Sequence, residues 1–168
     1  RHARDRHNAG FMVLDRIAER WGVPIERERH RALVGEATLS GERVLLVKPQ
    51  KYMNASGLAA GSVARYYRMA ADMFVAVHDD MDLALGRVRV RRSGGAAGHK
   101  GVTSLIAHLG DPGFARVRVG IGRPPTAWDP ADYVLAPFGQ AEQALIEARA
   151  NEESIRLQFL RLLNPVGP

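Results

Sequence analysis

Three short polar clusters stand out from otherwise ordinary packing: Arg6-His7-Asn8, Met53-Asn54, and His78-Asp79-Asp80-Met81-Asp82 with His99-Lys100 further along. The chain has no cysteine, which excludes thiolate nucleophiles, disulfides and Cys-ligated zinc. What remains is imidazole and carboxylate chemistry. A His–Asp pair drawn from His7 and Asp79 would let the carboxylate set the ring tautomer and stabilise the imidazolium formed when the ring takes a proton from water. That is general-base chemistry without a side-chain nucleophile. A metal centre is the rival reading, because His78, Asp79, Asp82 and His99 have ligand chemistry suited to zinc or manganese. No His-x-x-x-His or other rigid helical spacing enforces a coordination geometry, and the expectation is that no metal is used.

These clusters must be held by elements, and the elements are legible from periodicity. Phe11, Leu14, Ile17, Ala18 and Trp21 recur at helical spacing after Asn8, a good N-cap, and Gly22 followed by Pro24 gives the stop. His7 is thus expected just before the first helix. Ala32–Leu39 and Arg43–Val47 flank the turn Ser40-Gly41 and read as two antiparallel strands, with Pro49 ending the second. Helical spacing returns from about residue 55 to residue 67. The continuous apolar run Phe74-Val75-Ala76-Val77 predicts a buried central strand with Asp79 just past its C-terminal end, the edge at which open α/β sheets place ligands. In Arg87-Val88-Arg89-Val90-Arg91-Arg92 the valines face a core and Arg87, Arg89 and Arg91 form a basic stripe. Ser93–Gly98 reads as a flexible, Gly-rich loop that matches neither the phosphate-loop pattern nor the dinucleotide fingerprint. A short helix over Val102–Leu109, a strand over Arg116–Ile121 and a last helix over Gln140–Leu163 complete the chain. Alternating strands and helices without repeats or linkers predict one α/β domain over residues 1–168.

The charge of +6 is unevenly distributed. Residues 1–123 hold 21 basic and 12 acidic side chains, whereas residues 124–168 hold 3 basic and 6 acidic ones. The basic segment also carries every unusual motif, which points to a polyanionic partner. Lys48, Lys51, Arg87, Arg89, Arg91, Arg92 and Lys100 are candidate phosphate contacts, and Tyr52 offers a ring on which a terminal base could stack. No apolar run of about 18 residues is present to cross a bilayer, and Arg1–Arg6 lacks the apolar core of a secretion signal. A cytoplasmic protein is expected.

Taken together and in order, the clusters resemble the bacterial-type peptidyl-tRNA hydrolase family over nearly the whole chain. Arg6-His7-Asn8-Ala9-Gly10-Phe11 is similar to the family's Arg-His-Asn-x-Gly signature, and Pro49 with Met53-Asn54 and Ser56-Gly57 to its Pro…Met-Asn-x-Ser-Gly signature. Val77–Asp82, Gly98-His99-Lys100-Gly101 and Arg118–Pro124 continue the pattern. Any one of these strings is weak evidence. Five in order are strong.

The resemblance implies a single three-layer α/β domain, a mixed, twisted sheet between helices, and hydrolysis of the ester joining a peptide to the terminal ribose of tRNA. That activity recycles tRNA from prematurely released peptidyl-tRNA, with no cofactor, no obligate protein partner and a monomeric state. Residue by residue it implies that His7 activates water, Asp79 supports its basic form, Asn54 holds substrate and water, Tyr52 lies at the tRNA contact and His99 lines the cleft. Lys100 stands where the family often has Asn, and as a point charge it suits phosphate. His2 stands where a Tyr is usual and Asp5 where a Thr is usual. The family also opens with a strand and a Gly-Asn-Pro-Gly turn that nothing here matches, so the N-terminal strand is expected to be missing through truncation. The alternative is a non-hydrolytic RNA-binding relative of the same fold.

Overall fold

The computed structural model describes residues 4–50, 52 and 55–150. In chain order these residues form α1 (Ala9–Trp21), β1 (Arg27–Arg29), β2 (Ala32–Leu39), β3 (Glu42–Pro49), α2 (Ser56–Tyr67), β4 (Val75–Asp80), β5 (Val88–Arg91), α3 (Lys100–Leu109), β6 (Ala115–Gly120), α4 (Pro130–Leu135) and α5 (Gln140–Ala150). The strands fall into two three-stranded sheets, ordered β1-β2-β3 and β4-β6-β5. The α/β class therefore stands, with the described strands divided between two open sheets flanked by helices. The chain forms two compact units, each built from separate stretches of sequence.

The first unit gathers the described parts of Arg1–Ile17, Val77–Arg91 and Arg116–Pro168. Its central strand is β6, whose Val117 and Val119 are almost fully buried. β5 pairs with it antiparallel, Val88 opposite Val119 and Arg91 opposite Arg116. β4 runs parallel to β6, because Phe74 O bonds to Ala115 N and, further along both strands, Asp80 O bonds to Ile121 N. The sheet is thus mixed. The expectation that residues 74–77 form its buried centre fails among the described residues. β4 is an edge strand there, and its apolar residues are only half-buried.

The second unit gathers Ala18–Ala76 and Arg92–Ala115. β2 and β3 pair from Ala32–Pro49 to Leu39–Glu42 around Ser40-Gly41. Both turn residues have positive φ (50° and 81°), the conformation that suits a two-residue hairpin loop. Ala32 and Val34 of β2 pack on Ala59 of α2, with Leu45 and Val47 of β3 alongside. Helices α2 and α3 approach closely because Gly57 has no side chain: a Cβ there would overlap the Ser104 carbonyl oxygen. Gly57 N donates to Ser104 Oγ at 2.9 Å, which satisfies a buried amide at the start of α2.

Two elements were not anticipated. β1 is a wholly exposed Arg-Glu-Arg segment without an apolar signal, made a strand only by pairing with β2. α4 is short, but its start was readable: Asp129 caps the amides of Ala131 and Asp132, and Pro130 takes the first helical position. The predicted last helix is observed as far as residue 150, and the remainder of Gln140–Leu163 lies outside the described residues.

Candidate active site

His7 does not simply precede a helix. It sits within a 3-10 turn, Arg6–Asn8, that leads into α1. Asn8, expected to cap α1, directly precedes that helix, and its amide donates to Asp5 O at 2.8 Å and closes the turn. The turn is anchored by Arg6, which with Arg116 is a buried cation among the described residues. The Arg6 guanidinium lies 4.4 Å from the centroid of the Tyr133 ring and 5.5 Å from that of Phe138. It donates to Pro137 O at 3.0 Å and to Glu142 Oε2 at 2.9 Å. Backbone bonds from Arg6 N to Ala136 O and from Phe138 N to Arg4 O fasten the same segment. A side chain following Arg6 is consequently held from a buried, hydrogen-bonded base.

The other half of the pair comes from β4. The strand runs on through Asp80, so Asp79 lies inside it and not just past its C-terminal end, where the apolar run predicts it. This correction matters because alternation then places Asp79 on the face opposite His78 and Asp80. Asp79 is 4% exposed and the only fully buried residue of the strand. Gly10 lets α1 lie directly on this strand, since a Cβ there would overlap the Val77 carbonyl oxygen. The result is a His7 Nδ1 that lies 2.9 Å from Asp79 Oδ1 and 3.0 Å from Oδ2. An ionised carboxylate only accepts hydrogen bonds, so Nδ1 carries the proton and the neutral ring keeps its lone pair on Nε2.

The remaining acids of the segment are engaged differently. Arg118 pairs with Asp80 at 2.6 Å, and Arg123 pairs with Asp82 at 2.6 Å in an exposed position. His78 Nδ1 donates to the Asp79 carbonyl oxygen at 2.8 Å. His78, Asp79 and Asp82 thus do not converge as a ligand set. Alternation along β4 separates the first two, and an arginine takes the third. Both Asp–Arg pairs, the anchoring role of Arg6 and the contact at Gly10 were missed in the sequence. The one readable signal was a glycine in the first turn of a helix, where it needs a packing reason.

A family model of peptidyl-tRNA hydrolases matches residues 1–162. The chain belongs to this family. The peptidyl-tRNA hydrolase of Moorella thermoacetica is 46% identical over 95% of this chain and 84% of its own length. That of Brevibacillus brevis is also 46% identical, over 95% of this chain and 87% of its own. The crystal structure of peptidyl-tRNA hydrolase from Acinetobacter baumannii aligns with a TM-score of 0.87 at 28% identity, covering 98% of this chain and 83% of that one.

The peptidyl-tRNA hydrolase signatures also named Tyr52, Asn54, His99 and Lys100, and the first and last two of these fall in the second unit. Tyr52 is 86% exposed. His99 caps α3, its Nδ1 accepting from Val102 N at 3.2 Å. Lys100 is the exposed first residue of the same helix. Asn54 and His2 lie outside the described residues. The predicted arginine stripe is observed on β5: Arg89 and Arg91 are exposed while Val88 and Val90 turn inward. Arg118 and Arg116 stand directly opposite them on β6. Burial pulls Arg116 below the usual arginine range. No helix among the described residues is long and apolar enough to cross a membrane.

Proposed function

We propose that the chain hydrolyses the ester between a peptide, or an N-blocked amino acid, and the terminal ribose of tRNA, and so returns tRNA to translation. The observation that carries this reading is the His7–Asp79 pair, with Nδ1 held by a buried carboxylate 2.9 Å away. Water gives a proton to Nε2 as its oxygen adds to the ester carbonyl, and Asp79 supplies the counter-charge to the imidazolium. Collapse of the tetrahedral intermediate breaks the bond to the ribose oxygen, which takes the proton back from the ring. No cofactor or metal enters this cycle.

Asn54, Tyr52 and His99 are assigned as substrate and tRNA contacts because they occupy the corresponding places in the family's motifs, and Lys100, which stands where the family often has Asn, is assigned as a phosphate contact by its charge. Arg89 and Arg91, exposed on β5, suit a phosphate backbone, whereas Arg118 is already paired with Asp80 and Arg116 is buried. We read the chain as one domain acting as a cytoplasmic monomer, in keeping with a single family match that runs through both compact units. The test is release of N-acetyl amino acid from N-acetyl-aminoacyl-tRNA, comparing the chain with His7→Ala. Loss of release with tRNA binding retained is the expected result. A fully active His7→Ala variant, or tRNA binding without any turnover by the unaltered chain, would contradict the reading.

A further inference from the structure

The edge strand β1, the turn after it and the end of α2 form a polar surface in the unit that does not contain His7. Its backbone is unusual. Among the described residues five non-glycine positions have positive φ: His30 (55°), Arg31 (60°), Ser40 (50°), Arg68 (53°) and Ala97 (49°). Three of the five, His30, Arg31 and Arg68, belong to this surface, and all three carry basic side chains. Elsewhere the same backbone problem is solved mostly with glycine, Ser40 and Ala97 excepted. α1 is followed by Gly22 and α3 by Gly110, and the β2–β3 turn contains Gly41. α2 instead ends on Arg68, and the β1–β2 turn is His30-Arg31. Side chains in the left-handed region are uphill of glycine, and such outliers concentrate where the side chain has a task.

The second observation is a fixed but exposed aromatic ring. Tyr66 is 60% exposed. Tyr67 packs against it at 4.8 Å and His30 at 5.1 Å, both edge-on, and the Arg29 guanidinium lies 5.1 Å from its centroid. His30 is itself held by Ser62 Oγ at 2.9 Å. Arg29 lies over this ring, and Arg27, Arg31, Arg65 and Arg68, on β1, its turn and the end of α2, are exposed as well. A charged edge strand discourages pairing with other chains, and Arg65 suits the negative end of α2. Neither effect requires arginine on left-handed backbone or an ordered tyrosine facing solvent.

We propose that this surface binds RNA, with Arg29, Arg31, Arg65 and Arg68 meeting phosphates and an unpaired base stacking on Tyr66. An acidic peptide would use the arginines but leave the ring without a role, whereas phosphate charges interleaved with flat bases match both features. The inference rests on the hydrolase reading only in its choice of RNA. Deacylated tRNA carries no ester, so lost cleavage in His7→Ala and lost binding at this surface are separate results.

The experiment measures binding of deacylated tRNA by the full chain across a salt series, for the unaltered protein, an Arg31→Gly/Arg68→Gly variant and an Arg31→Lys/Arg68→Lys variant. Glycine fits the left-handed backbone without strain, so the thermal midpoint of the first variant should be equal or higher. Its affinity for RNA should nevertheless fall several-fold, and the slope of log K against log salt should become shallower by about 2, roughly one unit per lost phosphate contact. The lysine variant should keep the slope. Unchanged affinity and slope in the glycine variant overturn the proposal. So does a loss of affinity that comes with a lower thermal midpoint in both variants, which assigns these arginines to the fold. Competition by polyglutamate as effective as that by single-stranded RNA of equal charge overturns the choice of RNA.

Discussion

His7 and His30 are both half-buried histidines in tight turns, and both use Nδ1 on a side chain 2.9 Å away, yet they are built for opposite behaviour. At His7 the partner is the buried carboxylate of Asp79, which gives a protonated ring its counter-charge. At His30 the partner is the neutral Ser62 hydroxyl. Burial and then the Arg29 guanidinium hold that ring below the usual histidine range. One ring faces an anion and the other a neutral hydroxyl. The residue type is the same in both places, and the group opposite Nδ1 is what distinguishes them.

The sharpest way to break this comparison is to make the two partners alike. Asp79→Asn replaces the counter-charge with a neutral amide that can hold either tautomer, and kcat for ester release should fall by about 10³–10⁴-fold. Steady-state kinetics at saturating substrate read the effect, and a loss below tenfold would remove Asp79 from the mechanism. Arg6→Ala tests the base on which His7 stands. Removing the guanidinium takes away its contacts with Tyr133, Phe138, Pro137 and Glu142. Denaturant unfolding should show a loss of about 2–4 kcal/mol, and Arg6→Lys should not restore it, because an ammonium lacks the planar fork.

A smaller disturbance is Gly10→Ala, which forces α1 away from the Val77 carbonyl. The expected loss of stability is about 1–3 kcal/mol. kcat should fall as well, because the methyl displaces the helix that follows His7 relative to the strand that holds Asp79. The smallest effect belongs to His30. Its lowered pKa means that the unfolded chain binds a proton at higher pH than the folded one, so stability falls as pH drops through about 6.5 toward the depressed folded value. His30→Gln should flatten that part of the stability–pH curve while leaving kcat unchanged. An unaltered curve would separate His30 from acid destabilisation.

The distinction between the two histidines was only partly legible in the sequence. His7 and Asp79 stood out as a pair because the polar clusters interrupt apolar periodicity, and the strand and helix patterns around them were strong enough to locate β2, β3, β6, α1, α2 and α3. Asp79 reads from the sequence as just past the strand's end because Val77-His78-Asp79-Asp80 carries no apolar signal beyond Val77. Its strand character comes from pairing with β6, which is a long-range bond between Asp80 and Ile121. Arg6 was unreadable for the same reason. Its partners lie around residues 133–142, and nothing local marks a buried arginine. β1 has no periodicity at all, and His30 gave no warning of left-handed backbone, since glycine is the residue that usually signals it.

The most direct test of the central claim is a single-turnover measurement with enzyme in saturating excess over N-acetyl-aminoacyl-tRNA, which separates the chemical step from binding. The account predicts that His7→Ala binds the substrate as the unaltered chain does but releases N-acetyl amino acid at least 10³-fold more slowly, by analogy with removal of a general base from a His–Asp pair. Release at the unaltered rate by the bound His7→Ala complex would contradict it.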